Sequence, residues 1–578
     1  MTKSGAHAMS PSLRQSLRSL CTVVADGWDI ELSGDAGLNI FETPGVVSWT
    51  AGTKLPPAIR ETLCAWAENP DDIAEVRRLA SGLFFFGAIH RATGRVVLVI
   101  DPVNMYRVYR YSASGRLLLT SHPTNVDISS LTVSEAALAS YFANGSMIGD
   151  LSPFNELRLL QPASVHSFCA GKHESVTTYW TPHFPRNSQY DRAKTKRRLK
   201  EAIVESVRRC CDSKRVIVSL SGGYDSSAIL GVLSSVLRIK DVLCVSYVQG
   251  SPAGHSDAAV AAQQAGACGY RHLVRQSHHS DFLRTVLRNA ELGEGVAYFC
   301  QELDAWCELF QELQSPNESV LLAGDECFGW VDRELASDQD VLRSISVAGF
   351  AAVGALRPFM GGAMFDRWSQ HLASQIAGLL RSTPDGADLH DQKDELYLRH
   401  RIPHVLLPWR RFIIGSSLPV HVPFLDREIL DLMTEVPVED RRGKRLYREA
   451  VTEAFPEIFK IPRAYYEQAV VQDWIPSMER QESAIEDWIK GTPSLLDSII
   501  EPERQLAMVR GLLQRASGAS AISSATRFKE LVRNALFSMG LRSMVEGLRG
   551  RSRLQWDTTV PNSQLIIRLL IMRGFLST

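Results

Sequence analysis

The sequence predicts an α/β protein of two parts: a β-rich N-terminal part, and a doubly wound parallel sheet that continues into a helical C-terminal part. The chain has 578 residues, several times the usual length of one domain. Short apolar runs bounded by turns fill roughly the first 180 residues, as in antiparallel sheets. Strand-like and helix-like patterns then alternate. We therefore expect one domain over residues 1–190 and a second over 191–578.

The strands of the N-terminal part stand out in three places. "GLFFFGAIH" from Gly82 and "GRVVLVID" from Gly94 are apolar runs bounded by turn residues. "RVYRYSASGRLLLTS" from Arg107 is interrupted by small residues, which predicts a hairpin. A proline-containing polar linker then leads into an amphipathic helix, whose apolar residues Leu199, Ile203 and Val207 recur at intervals of four.

The second part begins with repeated strand–helix units. The predicted strands are "RVIVSL" from Arg215, "DVLCVSYV" from Asp241 and "YRHLVRQ" from Tyr270. A helix follows each strand, and in the first helix Ile229, Leu233 and Val236 should share one face. Such units form a parallel sheet with helices on both faces and ligands at the carboxyl ends of the strands. Beyond residue 340 the sequence is mostly helical.

Composition excludes several classes of function. The formal net charge of -1 offers no global attraction for nucleic acid. The ten cysteines form no C-x-x-C pair, which favours free thiols in a reducing compartment over a zinc or redox site. The first residues lack a signal-type apolar core, and the run "SVAGFAAVGAL" from Ser346 is too short to span a bilayer. We expect a cytoplasmic protein without a transmembrane segment, with peripheral membrane contact left open.

The stretch "SLSGGYDSS" from Ser219 carries the clearest chemical signal. Gly222 and Gly223 allow successive backbone N–H groups to point at one phosphate chain, and a helix beginning near Ser226 adds its N-terminal donors. No lysine follows the glycines, so this is not a Walker loop. Asp225 in an anion site requires a bridging cation such as Mg²⁺. The alternative is an ordinary turn capped by Asp225, but the whole pattern favours binding of a nucleotide pyrophosphate.

The loop resembles the pyrophosphate loop of the asparagine synthetase family, and the resemblance extends over most of the chain. "SVLLAGDECFGW" from Ser319 resembles that family's second acidic motif, with Asp325 as the expected second magnesium ligand and Glu326 beside it. "HVPFLDREI", "KRLYREAV" and "FPEIFKIPRAYY" resemble three later motifs. The resemblance implies a degenerate glutaminase-like β-sandwich, followed by a pyrophosphatase-type synthetase domain that uses ATP and Mg²⁺.

The same resemblance assigns roles to individual residues. Asp225 and Asp325 would bind the magnesium ion and serve catalysis. The adenine would lie against Leu220 and Val245, with Gly324 near the α-phosphate. Pyrophosphate would be held by Ser221, Gly222, Gly223, Ser226 and Ser227, and Tyr224 of the same loop would also belong to the ATP-binding site.

Departures from the family pattern change the expected reaction. Thr2 stands where a working glutaminase domain has its cysteine nucleophile, and the nearest cysteine is Cys21, inside "RSLCTVV". Tyr465 replaces a lysine that balances charge on the reacting phosphate, which leaves Lys460 and Arg463 as candidate catalytic substitutes. Family members without the cysteine include β-lactam synthetases and the macrolactam synthetases that close lasso peptides.

The sequence therefore predicts an ATP-dependent macrolactam synthetase. It would adenylate a side-chain carboxylate of a precursor peptide, and the peptide's own N-terminal amine would close the ring. A leader peptidase and a leader-binding protein are further candidate partners. The alternatives are an amide ligase of the β-lactam or asparagine synthetase type acting on a small amino acid, and a non-catalytic binding protein descended from a synthetase.

Overall fold

The fold is known for most of the chain. The computed structural model describes residues 19–25, 28–34, 39–52, 57–68, 76, 82–113, 116–169, 172–184, 190–211, 215–249, 256–313, 318–325, 327, 334–383, 387–415, 417–462, 473–520 and 559–577.

Antiparallel sheets form the N-terminal part, as predicted. The strands are β1 Ser19–Ala25, β2 Trp28–Gly34, β3 Asn39–Glu42, β4 Val46–Gly52, β5 Phe84–His90, β6 Arg95–Ile100, β7 Tyr109–Ala113, β8 Arg116–Thr120, β9 Leu157–Leu159, β10 Ser164–Cys169 and β11 Lys172–Thr178. A six-stranded sheet has the order β11-β10-β6-β5-β4-β3, β1 pairs with β2, and a three-stranded sheet has the order β8-β7-β9. The predicted hairpin corresponds to β7 and β8, and helices α1 (Pro57–Glu68) and α2 (Glu135–Asn144) accompany these sheets.

A parallel five-stranded sheet forms the centre of the second part. Its strands are β12 Arg215–Ser219, β13 Val242–Val248, β14 Arg271–Gln276, β15 Ser319–Leu322 and β16 Val420–His421, in the order β14-β13-β12-β15-β16. The helices up to β15 are α3 Arg192–Arg209, α4 Tyr224–Gly231, α5 Asp257–Ala267, α6 Phe282–Gly293 and α7 Leu303–Glu312. The fold class predicted from the sequence is thus confirmed.

Helices make up most of the described chain after β15. They are α8 Asp338–Ser344, α9 Arg357–Met360, α10 Gly362–Arg381, α11 Leu389–Leu396, α12 Leu407–Trp409, α13 Arg427–Glu435, α14 Val438–Arg441, α15 Arg445–Ala454, α16 Pro456–Phe459, α17 Ile475–Arg480, α18 Glu482–Gly491, α19 Pro502–Ser520 and α20 Asn562–Phe575. Segments Tyr397–Leu406 and Arg410–Ile414 are π-helical and flank α12. Pro403 lies inside the first of them, where it cannot donate a backbone hydrogen bond.

One detail of the predicted helix faces is wrong. Ile229 and Leu233 are buried, but Val236 is 43% exposed. The helix α4 passes into a π-helical turn over Val232–Val236, which changes the angle between successive side chains. A prediction that assumes the α-helical period throughout therefore places Val236 on the buried face, where it does not lie. The predicted face of α3 is confirmed, since Leu199, Ile203 and Val207 are all buried.

The two parts share one hydrophobic core. A single cluster of buried residues includes Tyr109 and Phe142 from the antiparallel part, and Leu230 and Leu570 from the second. Trp180 Nε1 also donates to Asp431 Oδ1 across the junction, at 2.7 Å. The domain boundary near residue 190 remains a prediction, although α3 begins close to it, at Arg192 with Asp191 as its cap.

Two further expectations concern free cysteine thiols and the absence of a transmembrane helix. Nine cysteines, all but Cys21, are free thiols in the part of the chain that the structure describes. Cys21 lies in β1, opposite Leu32 of β2. Among the described residues, no helix combines the length and apolar character needed to cross a membrane.

A buried basic cluster joins the two parts. Arg107 Nη2 donates to His404 Nδ1 at 3.1 Å, and the ring of His400 stacks on that of His404. Both ring nitrogens of His400 are buried without a hydrogen-bond partner among the described residues. Burial, together with the charge of Arg401, lowers the pKa of His400 to about 3. His400 is therefore neutral in the folded protein.

This neutrality predicts an acid-sensitive fold. The unfolded chain protonates His400 near the ordinary pKa of 6.5, whereas the folded chain does so only near 3. The free energy of unfolding should therefore fall as the pH drops below 6.5, by about 2 kcal/mol between pH 7 and pH 5 for this one group. Urea unfolding midpoints at the two pH values should differ less in His400→Phe than in the wild-type protein. Equal differences would contradict the assignment.

Candidate active site

The glycine turn after β12 has the backbone that the sequence predicts. Gly222 has φ +68°, and a Cβ there would come within 2.8 Å of Val260 Cγ1. Gly223 precedes α4 with extended backbone angles and makes no side-chain capping bond. The N-terminus of α4 is thus not capped by a protein side chain, and its N–H groups suit an anionic ligand.

The serines of the loop divide into two groups. Ser221 N donates to Ser226 Oγ at 3.2 Å, and the hydroxyls of Ser221 and Ser226 are 3.3 Å apart. Ser221 and Ser226 therefore contact each other across the loop. The hydroxyl of Ser227 is fully buried and donates to Gln264 Oε1 at 2.8 Å. In this structure Ser227 therefore uses its hydroxyl to anchor α4 to α5.

The second acidic loop meets the first through a glycine. Gly324 follows β15, and a Cβ at this position would lie 2.9 Å from Ser226 N and 3.1 Å from Asp225 Cβ. Only a residue without a side chain permits this approach. Asp325 comes directly after Gly324, so the two carboxylate loops converge at the carboxyl edge of the sheet. Glu326 lies outside the described residues.

Each aspartate is paired with a base that the sequence did not single out. Lys444 Nζ donates to Asp225 Oδ2 at 2.9 Å. Arg410 Nε donates to Asp325 Oδ2 at 2.8 Å. Both bases are buried, with 8% and 7% of their surface exposed. The signal for Lys444 was present in "KRLYREAV", but "PWRRF" around Arg410 carries no recognisable pattern.

The backbone that presents Lys444 is strained. Gly443 has φ +58° and Lys444 has φ +59°, and the left-handed region is unfavourable for lysine. Arg441, just before this turn, donates from Nε to Asp394 Oδ2 at 2.9 Å and from Nη1 to Val436 O at 2.6 Å. These buried bonds hold the turn, and such strain is typical of functional sites.

The residues present fit a magnesium ion bound together with phosphates. Asp225 Oδ1 is buried and has no hydrogen-bond partner among the described residues. That part of the chain holds no group of three or more His, Cys, Asp or Glu side chains able to bind a metal alone. Magnesium commonly takes one or two protein carboxylates and completes its shell with water and substrate phosphates. Asp225 and Asp325 match that pattern.

The residues expected near the adenine lie inside the fold. Leu220 and Val245 are each 2% exposed, and Leu220 N donates to Val245 O at 2.9 Å. The hydroxyl of Ser246 donates to Leu220 O and lies 2.8 Å from His272 Nε2. These contacts fix the end of β13 against the start of the glycine loop.

Of the two candidate substitutes for the missing lysine, the structure describes only Lys460, which pairs with neither aspartate. Lys460 is 68% exposed and pairs with Glu457 on the surface. Arg463 and Tyr465 lie outside the described residues. The ring of Tyr224 stacks on Phe459, the residue before Lys460, at 5.7 Å, and the Arg448 guanidinium lies 4.9 Å from the centre of the Tyr224 ring.

Comparison with known proteins gives one family and distant solved structures. The model of the asparagine synthase family matches residues 198–533, more than half of the chain. No curated protein matches. The U34-tRNA thiolase NcsA from Methanococcus maripaludis, with its 4Fe-4S cluster, is 10% identical, with a TM-score of 0.23 over 55% of this chain and 82% of its own. The NMN synthetase from Francisella tularensis is 12% identical, with a TM-score of 0.19 over 39% and 94%.

The contact at Gly324 leads to a first prediction for the site. Gly324→Ala should push the Asp225–Ser226 backbone out of place and weaken binding of a non-hydrolysable ATP analogue with Mg²⁺ about tenfold or more. Gly349→Ala is the matched control, because a Cβ there meets nothing within 4 Å. Calorimetric titration of both variants measures the effect. Unchanged affinity in Gly324→Ala would contradict the shared site.

The two lysines can be compared in the same way. Lys444→Met should weaken binding of magnesium pyrophosphate about tenfold or more, because the variant cannot donate the charge-assisted hydrogen bond that we expect Lys444 to make to a pyrophosphate oxygen. Lys460→Met removes the same charge from an exposed position and should leave the affinity unchanged. The reverse result would assign the phosphate contact to Lys460, as the sequence first indicated.

Proposed function

The chain belongs to the asparagine synthase family, and from this premise we propose that it is an ATP-dependent macrolactam synthetase. Family membership supports the broader class of ATP-dependent amide ligases. The proposed reaction joins a side-chain carboxylate of a bound peptide to the N-terminal amine of the same peptide, with release of AMP and pyrophosphate.

One observation carries the proposal. Asp225 and Asp325, which follow neighbouring parallel strands, converge on a glycine loop, and a buried base accompanies each. Carboxylates beside a phosphate cradle are electrostatically unfavourable unless cations balance them. The arrangement supports a site that brings a magnesium-bound polyphosphate and a second anion, the substrate carboxylate, close together.

The first step would form an acyl-adenylate. An oxygen of the peptide carboxylate attacks the α-phosphorus of ATP, and the bond to the β-phosphate oxygen breaks. The loop residues Ser221–Ser226 would bind the leaving pyrophosphate, and Lys444 would donate to it after leaving Asp225. Magnesium, held by Asp225 and Asp325, would withdraw electron density from the phosphates when bound.

The second step would close the ring. The peptide amine attacks the activated carbonyl, the carbonyl–oxygen bond to AMP breaks, and the amide forms. Because both groups belong to one bound molecule, the effective concentration of the amine can be on the order of 10⁵ M or more. No second substrate is required.

The cysteines of the antiparallel part support an amine source other than glutamine. A glutaminase of this class needs a cysteine with a free α-amine. Cys21 lies inside β1, whose backbone is paired with β2 from Ser19 to Ala25. Cys64 lies in α1 and Cys169 in β10. Each of these three cysteines lies within a strand or helix of the described chain, and this supports the proposal of an amine carried by the substrate.

The test measures AMP formation and mass change together. The purified protein, ATP and Mg²⁺ are incubated with peptides that carry a free N-terminus and an internal Asp or Glu, and separately with aspartate plus ammonium or glutamine. We expect AMP and a peptide lighter by one water in the peptide arm. The same peptide with an acetylated N-terminus should yield AMP but keep its mass, because activation and capture are separate steps.

Other outcomes distinguish the alternatives. Turnover only with aspartate and an amine source would assign an asparagine synthetase type of reaction. Dehydration of the acetylated peptide would exclude its α-amine as the nucleophile. Asp225→Asn is the control for the nucleotide site and should abolish AMP formation in every arm.

A further inference from the structure

A second polar cluster lies at the same carboxyl edge of the sheet as the aspartates. Gln249 follows β13 directly, and Cys300, Gln301 and Glu302 immediately precede α7. A helix that leads back to a parallel strand begins at the carboxyl edge of the sheet, so both segments lie at that edge. Tyr247 connects them, because its ring packs edge-on against Trp306 of α7 at 6.3 Å.

Two atoms of this cluster are buried and unsatisfied. Arg410 donates to Asp325 through Nε, but its Nη1 is buried without a partner among the described residues. Gln249 Oε1 is likewise buried without a partner in that part of the chain, while its Nε2 donates to Gln301 Oε1 at 3.4 Å. Arg410 is buried, with only 7% of its surface exposed. Such groups indicate a ligand that completes their hydrogen bonds.

Glu302 is the acid of this cluster. It is partly exposed, and its Oε2 accepts from Cys300 Sγ at 3.6 Å. Its side chain makes no capping bond to α7, although it occupies the capping position. Among the described residues, the charged and titratable groups that affect Glu302 or are affected by it are Arg410, Cys300 and Tyr247. Burial raises the pKa of Glu302 above its ordinary value, against smaller opposing effects that include the charge of Arg410.

We propose that Glu302 is the proton acceptor for the amine that attacks the acyl-adenylate, with Arg410 Nη1 donating to the acyl oxygen. This inference rests on the proposed function. The substrate ammonium would give one proton to the Glu302 carboxylate, and the freed lone pair would form the carbon–nitrogen bond. The carbonyl–oxygen bond to AMP then breaks, and the second nitrogen proton passes to the departing phosphate.

The local chemistry matches this role. An α-ammonium has a pKa of about 7.7 to 8.0, so it is mostly protonated at neutral pH and cannot attack until it loses a proton. A carboxylate whose pKa is raised takes that proton more readily than an exposed one. The bond from Cys300 orients one oxygen of Glu302, and the Glu302 side chain is partly exposed. Arg410 links this acid to the magnesium site through Asp325.

The test separates activation from capture. It uses the peptide on which the wild-type protein forms AMP, and compares wild type with Glu302→Gln and with Glu308→Gln. Glu308 is a matched control on α7, where it pairs with His279 at the surface. Glu302→Gln should retain pyrophosphate release within a few-fold but lose about 10²- to 10⁴-fold in ring closure. Glu308→Gln should behave as wild type.

Two readouts distinguish a proton acceptor from a merely structural residue. Hydroxylamine, whose nitrogen is largely unprotonated at neutral pH, should trap the adenylate as hydroxamate equally well in Glu302→Gln and wild type. Ring closure by the variant should also recover as the pH rises towards the pKa of the amine. Wild-type ring closure in Glu302→Gln, or loss of pyrophosphate release together with it, would overturn the proposal. If the wild-type protein forms no AMP from any carboxylate, the proposed function falls first, and this inference with it.

Discussion

The site depends on the parallel pairing of β12 with β15. Val218 lies opposite Leu322 in that register, so the loops that follow the two strands leave the sheet side by side. Gly324 lets them touch, with its Cα close enough to Ser226 N that even a methyl group would clash. Asp225 and Asp325 are thereby held next to one another although 100 residues of chain separate them. The bases that pair with the two aspartates are placed around this contact between Gly324 and the glycine loop.

Charge balance is the second constraint. Two carboxylates at a helix N-terminus and a strand end repel each other, and each is paired with a base from the helical C-terminal part. Arg410 comes from a π-helical segment and Lys444 from a strained turn, so distant parts of the chain complete the site. In the proposed function, the carboxylates would gain the metal as a partner, and the bases would gain the phosphates, when a magnesium-bound phosphate group enters. Each aspartate–base pair of the ligand-free protein would then exchange its partner for a part of the ligand.

The antiparallel part packs directly against this machinery. Arg107 reaches across to His404, in the π-helical segment that precedes Arg410. Residues from both parts contribute to one hydrophobic core. Burial of neutral His400 beside this contact means that acidification weakens the region on which Arg410 depends. The N-terminal part therefore supports the position of the site.

The sequence by itself determined the fold class and the strands and helices around the loop, because each depends on local pattern. The metal-binding role of Asp225 and Asp325 rests on the loop motif and a family resemblance, and it stays a prediction. Periodicity identified β12 to β14 and α3, and glycine spacing identified the turn at Gly222. Only the tertiary structure decided which bases face the aspartates, since Lys444 and Arg410 meet them through contacts that sequence spacing does not encode. It also decided that Val236 is exposed, because a π-helical turn alters the helical period, and that Glu302 lies beside Arg410, because the carboxyl edge of a parallel sheet gathers loops from separate strands.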